Sequence, residues 1–407
     1  MSERARRAIE ECKQIATMSE DPERITRRFL TPPVRLVHAH LRARMEALGM
    51  TARVDAAGNL RGLWTPKNKS AKRLLIGSHI DTVPDAGAYD GVLGVMLALE
   101  WVGMAQEIDA PYGIEVIAFS EEEGVRFGVP FIGSRAVAGR FDAELLTLKD
   151  GNGVSLEEAL RSFGLDPADL GNAEVNDGAI GFIEVHIEQG PVLEAEGLSV
   201  AAVTGIVGQS RLTMEFVGQA NHAGTTPMDL RHDALAGAAE WIAAVEGLAQ
   251  QTKGLAATVG KIVATPNAGN VIAGTAKMTL DARHPHDASR LGAVEQLIEA
   301  ANAIASRRGL AVEYSRQMDQ PAVTMDERLT SFLTESISAG GFAPRQIFSG
   351  AGHDAMVMAA RLPTAMLFLR SPGGVSHSPA ETVREVDVEA SLKVGLEFLK
   401  RLSAEVG

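Results

Sequence analysis

Apolar positions recur at three- and four-residue spacing, with charges between them, over residues 3–18 and 34–48, and this period predicts two helices at the start of the chain. Residues 54–64 then alternate about Ala56-Ala57-Gly58-Asn59, which predicts a hairpin. Three later runs are apolar throughout: one ends at Ile76 before Gly77, one spans 114–119 and one spans 180–187. Short continuous runs of this kind read as strands buried on both faces. A periodic apolar stretch over 92–102 places a helix between the first two, so a sheet covered by helices, with parallel strands among its members, is expected.

From about Ser210 the pattern changes. Residues 212–218 alternate as a strand, 233–250 form an Ala-rich amphipathic helix, 257–264 and 277–282 read as strands, 288–306 as a helix and 311–316 as a strand. The order β-α-β-β-α-β is that of a ferredoxin-like split unit, which folds compactly by itself. After Pro321 a helix over 327–339, a strand over 364–369 and a last helix over 388–402 restore the earlier character. The expectation is an α/β protein of two domains: 1–210 with 322–407, built on a mixed, largely parallel sheet, and an inserted domain over 211–321. A length of 407 residues fits two cores better than one.

Chemistry gathers where the buried runs end. His79 and Asp81 lie two apart, so an extended backbone turns both side chains to one face. Asp90 follows in a Gly-rich turn. The second run leads into Glu121-Glu122-Glu123-Gly124, and the third carries His186 and ends in Glu188-Gln189-Gly190-Pro191. His377 sits far downstream in the small-residue loop Gly373-Gly374-Val375-Ser376-His377-Ser378. Open α/β sheets place ligands at the carboxyl ends of their strands. Of the adjacent pair Glu122 and Glu123, one can bind a metal while the other serves as a base. With His79, Asp90, His186 and His377, the set gives three imidazoles and two carboxylates, enough for two divalent ions sharing one carboxylate.

Composition narrows the partners. Acidic residues outnumber basic ones, 52 to 39, for a formal net charge of -13, and no basic block offsets this, which argues against nucleic acid. The charged, amphipathic first 29 residues lack an apolar signal core, and no segment approaches a membrane span. Cys12 alone can form neither an internal disulfide nor a thiolate cluster, so a cytoplasmic location is expected.

The motifs SHIDTV, the Asp90-Gly91 turn, SEEEG, EVHIEQGP, NHAGTTPM, SGAGHDAM and SHSPAE run in order over nearly the whole chain. In this the sequence resembles the dinuclear metallopeptidase-like amidohydrolases that include carboxypeptidase G and aminoacylases, and within them the allantoate amidohydrolases and N-carbamoyl-L-amino-acid hydrolases. The resemblance implies that His79, Asp90 and His186 hold one ion and that Asp90, Glu123 and His377 hold the other, Asp90 bridging. Zinc or manganese, or else cobalt or nickel, would fill the two positions. It further implies Glu122 as general base and Asp81 as the group orienting His79. His222, in the inserted domain, would donate to the developing oxyanion, and Arg283 would grip the substrate carboxylate. Gln189, Gln209, Arg211, Asn270 and His377 would be further substrate contacts, with His353 and Asp354 in a supporting role. The inserted domain would act as a lid and dimerise. The implied reaction is cleavage of a ureido or carbamoyl C–N bond in a small ureido acid, releasing ammonia and carbon dioxide. Allantoate is the first expectation, since the EEEGVRFGVPFIGSRA segment looks nearest to that subgroup, and an N-carbamoyl-L-amino acid is the second. The competing readings are an aminoacylase or aminopeptidase acting on ordinary amides, and a non-catalytic binding protein of the same fold. His186 and Arg283 weigh against the amide enzymes, and the full set of ligands and base weighs against a silent protein.

Overall fold

The structure is a computed structural model that describes residues 1–68 and 70–407. Its contacts divide into two compact units, Met1–Thr204 with Thr324–Gly407, and Gly205–Val323.

Strands are numbered in chain order. In the first unit they are β1 (Thr51–Val54), β2 (Leu60–Trp64), β3 (Arg73–His79), β4 (Gly113–Phe119), β5 (Ala179–Ile187), β6 (Val200–Ile206), β13 (Val323–Thr324), β14 (Gln346–Ser349) and β15 (Thr364–Leu369). They form one sheet in the order β1-β2-β4-β3-β5-β15-β6-β13, with β14 paired to β6. The centre is parallel: β4, β3, β5 and β15 run together, whereas β1 with β2, β2 with β4, and β15 with β6 are antiparallel. A largely parallel sheet is therefore corrected to a parallel centre with antiparallel flanks. The reason is coverage, because parallel strands need both faces buried. Helices Val92–Glu107, Glu327–Ala339 and Glu385–Val406 pack on the central strands, and Ser2–Ala16 packs outside them in one continuous core.

Strand β3 does not stop at Gly77 but continues to His79. A Cβ at residue 77 would lie 2.1 Å from the Ile117 carbonyl oxygen, so this glycine permits close approach to β4 and is no break. His79 thus stands on the strand itself. Helix Glu327–Ala339 and strand Thr364–Leu369 have the expected bounds, the helix starting where the Asp326 side chain accepts from the Leu329 amide.

The second unit holds β7 (Gly208–Val217), β8 (Asn221–His222), β9 (Ala256–Thr265), β10 (Val271–Ile272), β11 (Thr275–His284) and β12 (Ala311–Gln320). Four of them form an antiparallel sheet in the order β12-β7-β11-β9, and β8 pairs with β10 as a separate ribbon. Helices Ala234–Gln251 and Asp287–Arg308 pack on the sheet and on each other, closing a core around Phe216, Trp241 and Leu297. Along the chain the sheet elements run β-α-β-β-α-β. This unit starts before residue 211, since Gly208, Gln209 and Ser210 already pair with His284, Arg283 and Ala282; their small and polar side chains hide the strand from a hydrophobicity pattern.

Candidate metal centre

Parallel β3 and β5 lie side by side and end together, which delivers His79 from one and His186 from the other. Asp90 arrives from the turn that opens helix Val92–Glu107, and packing of that helix against β3 and β5 fixes where the turn falls. Glu122 and Glu123 follow the end of β4, and His377 comes from the loop after β15. His79, Asp90, Glu122 and His186 are buried, Glu123 is nearly so, and His377 is half exposed.

The geometry is organised about Asp90. Its Oδ1 faces His186 Nε2 at 3.1 Å and His79 Nε2 at 3.5 Å, and those two nitrogens are 3.4 Å apart. Its Oδ2 faces His377 Nε2 at 3.3 Å, and the same nitrogen lies 3.5 Å from Glu123 Oε1. One carboxylate thus turns an oxygen to each of two groups, His79 with His186 and Glu123 with His377. His79, Glu122 and Glu123 form a third overlapping group, their ligand atoms within 4.8 Å of one another.

Neighbouring hydrogen bonds set the tautomers. His79 Nδ1 lies 3.1 Å from the Asp81 carbonyl oxygen and His186 Nδ1 lies 2.8 Å from that of Ile187. A carbonyl only accepts, so each Nδ1 carries the hydrogen and each neutral ring aims the Nε2 lone pair at the centre. Asp81 does more than face His79: its Oδ1 and Oδ2 accept the Glu122 and Glu123 amides at 3.0 and 3.1 Å, so one buried carboxylate fixes both strand ends.

These residues fit a pair of divalent cations. Asp90 Oδ1 is buried and, among the described residues, no donor meets it along a hydrogen-bond direction, although two imidazole nitrogens converge on it. Such an orphan is costly unless a cation shares the site. The electrostatics point the same way. Burial disfavours charge on His79 and His186, yet Asp81 and Asp90 beside the first, and Asp90 beside the second, raise both above the usual imidazole range. Asp90 also raises His377. Burial pushes the Asp90 carboxyl up, but the three imidazoles hold it well below the ordinary range. Burial raises Glu122 well above it, and raises Glu123 to about 7. Imidazole and carboxylate donors suit zinc, manganese, cobalt or nickel alike.

Glu121 stays outside these groups; its carboxylate is fully buried and, among the described residues, no donor meets either oxygen along a hydrogen-bond direction. Gln189, with φ 58°, donates from Nε2 to Asp90 Oδ2 at 3.0 Å, and Glu188 caps the next turn through the Val192 and Leu193 amides. His353 packs edge-on to the His186 ring, 4.5 Å between centroids, and bonds Ser349. Three residues that sequence reasoning does not assign also belong to this surround. Glu184 accepts from Ser78 Oγ and the Ala355 amide, while Ser376 and Glu381 bond around Asp90. The last two lie in the SHSPAE motif, but no spacing rule marks them.

Within the second unit, register pairs Arg211 with Asp281 and Gln209 with Arg283 on neighbouring strands. The Asp281 carboxylate accepts from Gln209 Nε2 at 2.6 Å, Arg211 Nε at 3.1 Å and Arg283 Nε and Nη2 at 2.9 and 3.0 Å. Two guanidinium groups are therefore collected on one carboxylate, beside an open cavity of about 650 Å³ that Thr258 and Lys261 also line. His222 stands exposed at the β8–β10 ribbon, where the Ala223 amide bonds the Asn270 carbonyl. The amides of Gly224 and Thr225 donate to its Nδ1 at 3.0 and 3.2 Å, so in the neutral ring the hydrogen sits on Nε2.

Residues 75–405 match the model of Peptidase family M20/M25/M40. The chain is 37% identical over 429 residues to the allantoate deiminase of Arabidopsis thaliana, covering 97% of this chain and 81% of that one. It is 36% identical over 403 residues to the N-carbamoyl-L-amino-acid amidohydrolase of Paenarthrobacter aurescens, covering 98% of each. A crystal structure of an amidase of the hydantoinase/carbamoylase family from Burkholderia multivorans superposes with a TM-score of 0.91 at 31% identity, covering 97% of both chains. The chain belongs to Peptidase family M20/M25/M40, within its hydantoinase/carbamoylase branch, and is a hydrolase of C–N bonds other than peptide bonds.

Proposed function

We propose that this hydrolase cleaves the terminal ureido or carbamoyl C–N bond of a small ureido acid, with allantoate the first candidate and N-carbamoyl-L-amino acids the second. The observation that carries the reading is the Asp90 carboxylate, divided between His79 with His186 on one side and Glu123 with His377 on the other. These five residues would hold two divalent cations, zinc or manganese before cobalt or nickel. When bound, such a pair supplies Lewis acidity, polarising the scissile carbonyl and acidifying water.

Glu122 takes a proton from the attacking water and returns it to the departing nitrogen. Its burial, which raises its hold on a proton, suits a group that must carry one between two steps. Asp81 keeps the His79 ring and the Glu122–Glu123 backbone in place. His222, its Nδ1 occupied by two amides, presents Nε2–H as the donor to the carbonyl oxygen as charge develops there. Arg211 and Arg283, gathered with Gln209 on Asp281, concentrate positive charge for the substrate carboxylate, and Gln189 and Asn270 add polar contacts. Water and the ureido group give ammonia and a carbamate; loss of carbon dioxide from the carbamate leaves the free amine.

In this reading the ferredoxin-like second unit is a lid and a dimerisation module. Its outer strands β9 and β12 expose Ile262, Val263 and Tyr314, the kind of sheet edge that a second copy can cover. The buried, unpaired Cys12 fits a reducing cytoplasm.

The test is ammonia release on allantoate, ureidoglycolate, N-carbamoyl-β-alanine and N-carbamoyl-L-amino acids, with a dipeptide alongside, after chelation and after return of manganese or zinc. Release from a ureido acid that depends on the metal supports the proposal. Turnover of the dipeptide alone sinks it.

A further inference from the structure

The loop that carries His377 lies nearly three hundred residues from the turn that carries Asp90, and one buried side chain joins them. Glu381 Oε1 accepts the Tyr89 amide at 2.8 Å and the Asp90 amide at 3.0 Å. Its Oε2 accepts from Ser376 Oγ at 3.2 Å, and Ser376 Oγ lies 2.8 Å from Asp90 Oδ2, the oxygen facing His377. The carboxylate is pressed onto the turn from the other side as well. A Cβ at Gly87 would lie 2.4 Å from Glu381 Cβ, Cδ and Oε1, so the turn leaves room for glycine alone. Glu381 is 6% exposed, whereas the nearby His377 side chain is 49% exposed and its backbone adopts φ 54°.

This contrast separates the two halves of the centre. His79 and His186 stand on neighbouring strands of the sheet, and their positions follow from the ladder. His377 stands on a loop in a conformation that residues other than glycine rarely adopt, so something outside the loop must hold it. Among the contacts that do so are those by which Ser376 and Glu381 reach the Asp90 turn.

We propose that Glu381 is a positioning residue: through the Tyr89 and Asp90 amides and the Ser376 hydroxyl it locks the His377 loop onto the Asp90 turn, and so sets affinity at the His377 position while leaving the His79–His186 position alone. The proposal rests on the two-cation reading above. It assigns Glu381 no contact with substrate.

Manganese titration of the metal-free full-length protein, followed by calorimetry and by metal content after gel filtration, tests it. Wild type should take up two ions per chain. Glu381→Ala should keep one ion at wild-type affinity and bind the other at least about tenfold more weakly, the lower end of what loss of such supporting groups costs. Glu381→Gln keeps an accepting oxygen for the two amides and offers an N–H to Ser376 Oγ, so it should stay within about threefold of wild type. Ser376→Ala, which leaves the bonds to the Tyr89 and Asp90 amides in place, should weaken the same single ion and covers the case in which Glu381→Ala does not fold. Two ions bound by Glu381→Ala as by wild type, or both ions weakened equally in Ser376→Ala, would overturn the assignment. A wild type that binds fewer than two ions would instead remove the two-cation reading on which it stands.

Discussion

Replacing Gly94 by alanine should damage the metal centre from behind. Helix Val92–Glu107 is buried along most of its length and crosses β3 and β5 at Gly94. A Cβ there would lie 2.1 Å from the Val185 carbonyl oxygen and 2.8 Å from Ser78 Cβ, where ordinary contact begins near 3.4 Å. Neither obstacle yields easily: Val185 lies in the ladder with β15, and Ser78 donates to the buried Glu184. The start of the helix must therefore lift, and Asp90 lifts with it, away from His79 and His186, the residues that follow Ser78 and Val185. Overpacking of this kind costs about 3 kcal/mol at its upper range, and the better helix propensity of alanine returns about 1. Urea unfolding of the metal-free protein should thus show a net loss of about 2 kcal/mol. A shift of about 1 Å at Asp90 should lower turnover on the order of 100-fold. Gly103 on the same helix is the control, because the nearest atoms a Cβ there would meet belong to the Arg4 guanidinium, the end of a long side chain; Gly103→Ala should be neutral or slightly stabilising. Gly94→Ala as stable as wild type, with metal affinity and turnover unchanged, would refute the claim that this crossing positions Asp90.

Glu122→Gln should retain both ions by metal analysis while kcat falls by about 10² to 10⁴, the usual worth of a general base, and near-normal turnover would remove Glu122 from that role. Metal uptake should release protons and weaken as pH falls, starting above the usual imidazole range, since His79, His186 and His377 hold protons more tightly than ordinary histidines before metal binds; manganese titrations between about pH 6 and 9 read this out. Away from the centre, burial and then Arg42 and Arg35 push His38 down from 6.5 to about 4, so the fold favours the neutral ring. Its contribution is complete above pH 6.5 and declines as pH falls toward 4, on the order of 3 kcal/mol over that window, and His38→Gln should flatten this part of the urea-stability profile.

Much of the centre is legible in the sequence because its ligands follow continuous apolar runs, and such runs end at the rim of a sheet where chains carry chemistry. Helix Glu327–Ala339, with Asp326 at its cap, and strand Thr364–Leu369 are equally plain. What periodicity does not give is pairing direction. β15 lies parallel to β5 yet antiparallel to β6, and nothing in either sequence distinguishes the two edges. Strand Val200–Ile206 escapes the pattern because VAAVTGI, mostly small residues with Gly205 near its end, carries no alternation, and the polar and small Gly208-Gln209-Ser210 likewise conceals the true start of the second unit. Helix Leu156–Ser162 does have a signal, the Ser155-x-x-Glu158 capping box, which the apolar pattern overshadows. Glu381 and Glu184 have none. Their roles depend on amides and hydroxyls contributed by residues 292 and 106 positions away, respectively.

Anomalous diffraction from crystals loaded with manganese tests the central claim most directly. Two peaks should flank the Asp90 carboxylate, one on the Oδ1 side with His79 and His186, the other on the Oδ2 side with Glu123 and His377. A single peak, or peaks that leave Asp90 unbridged, would contradict it.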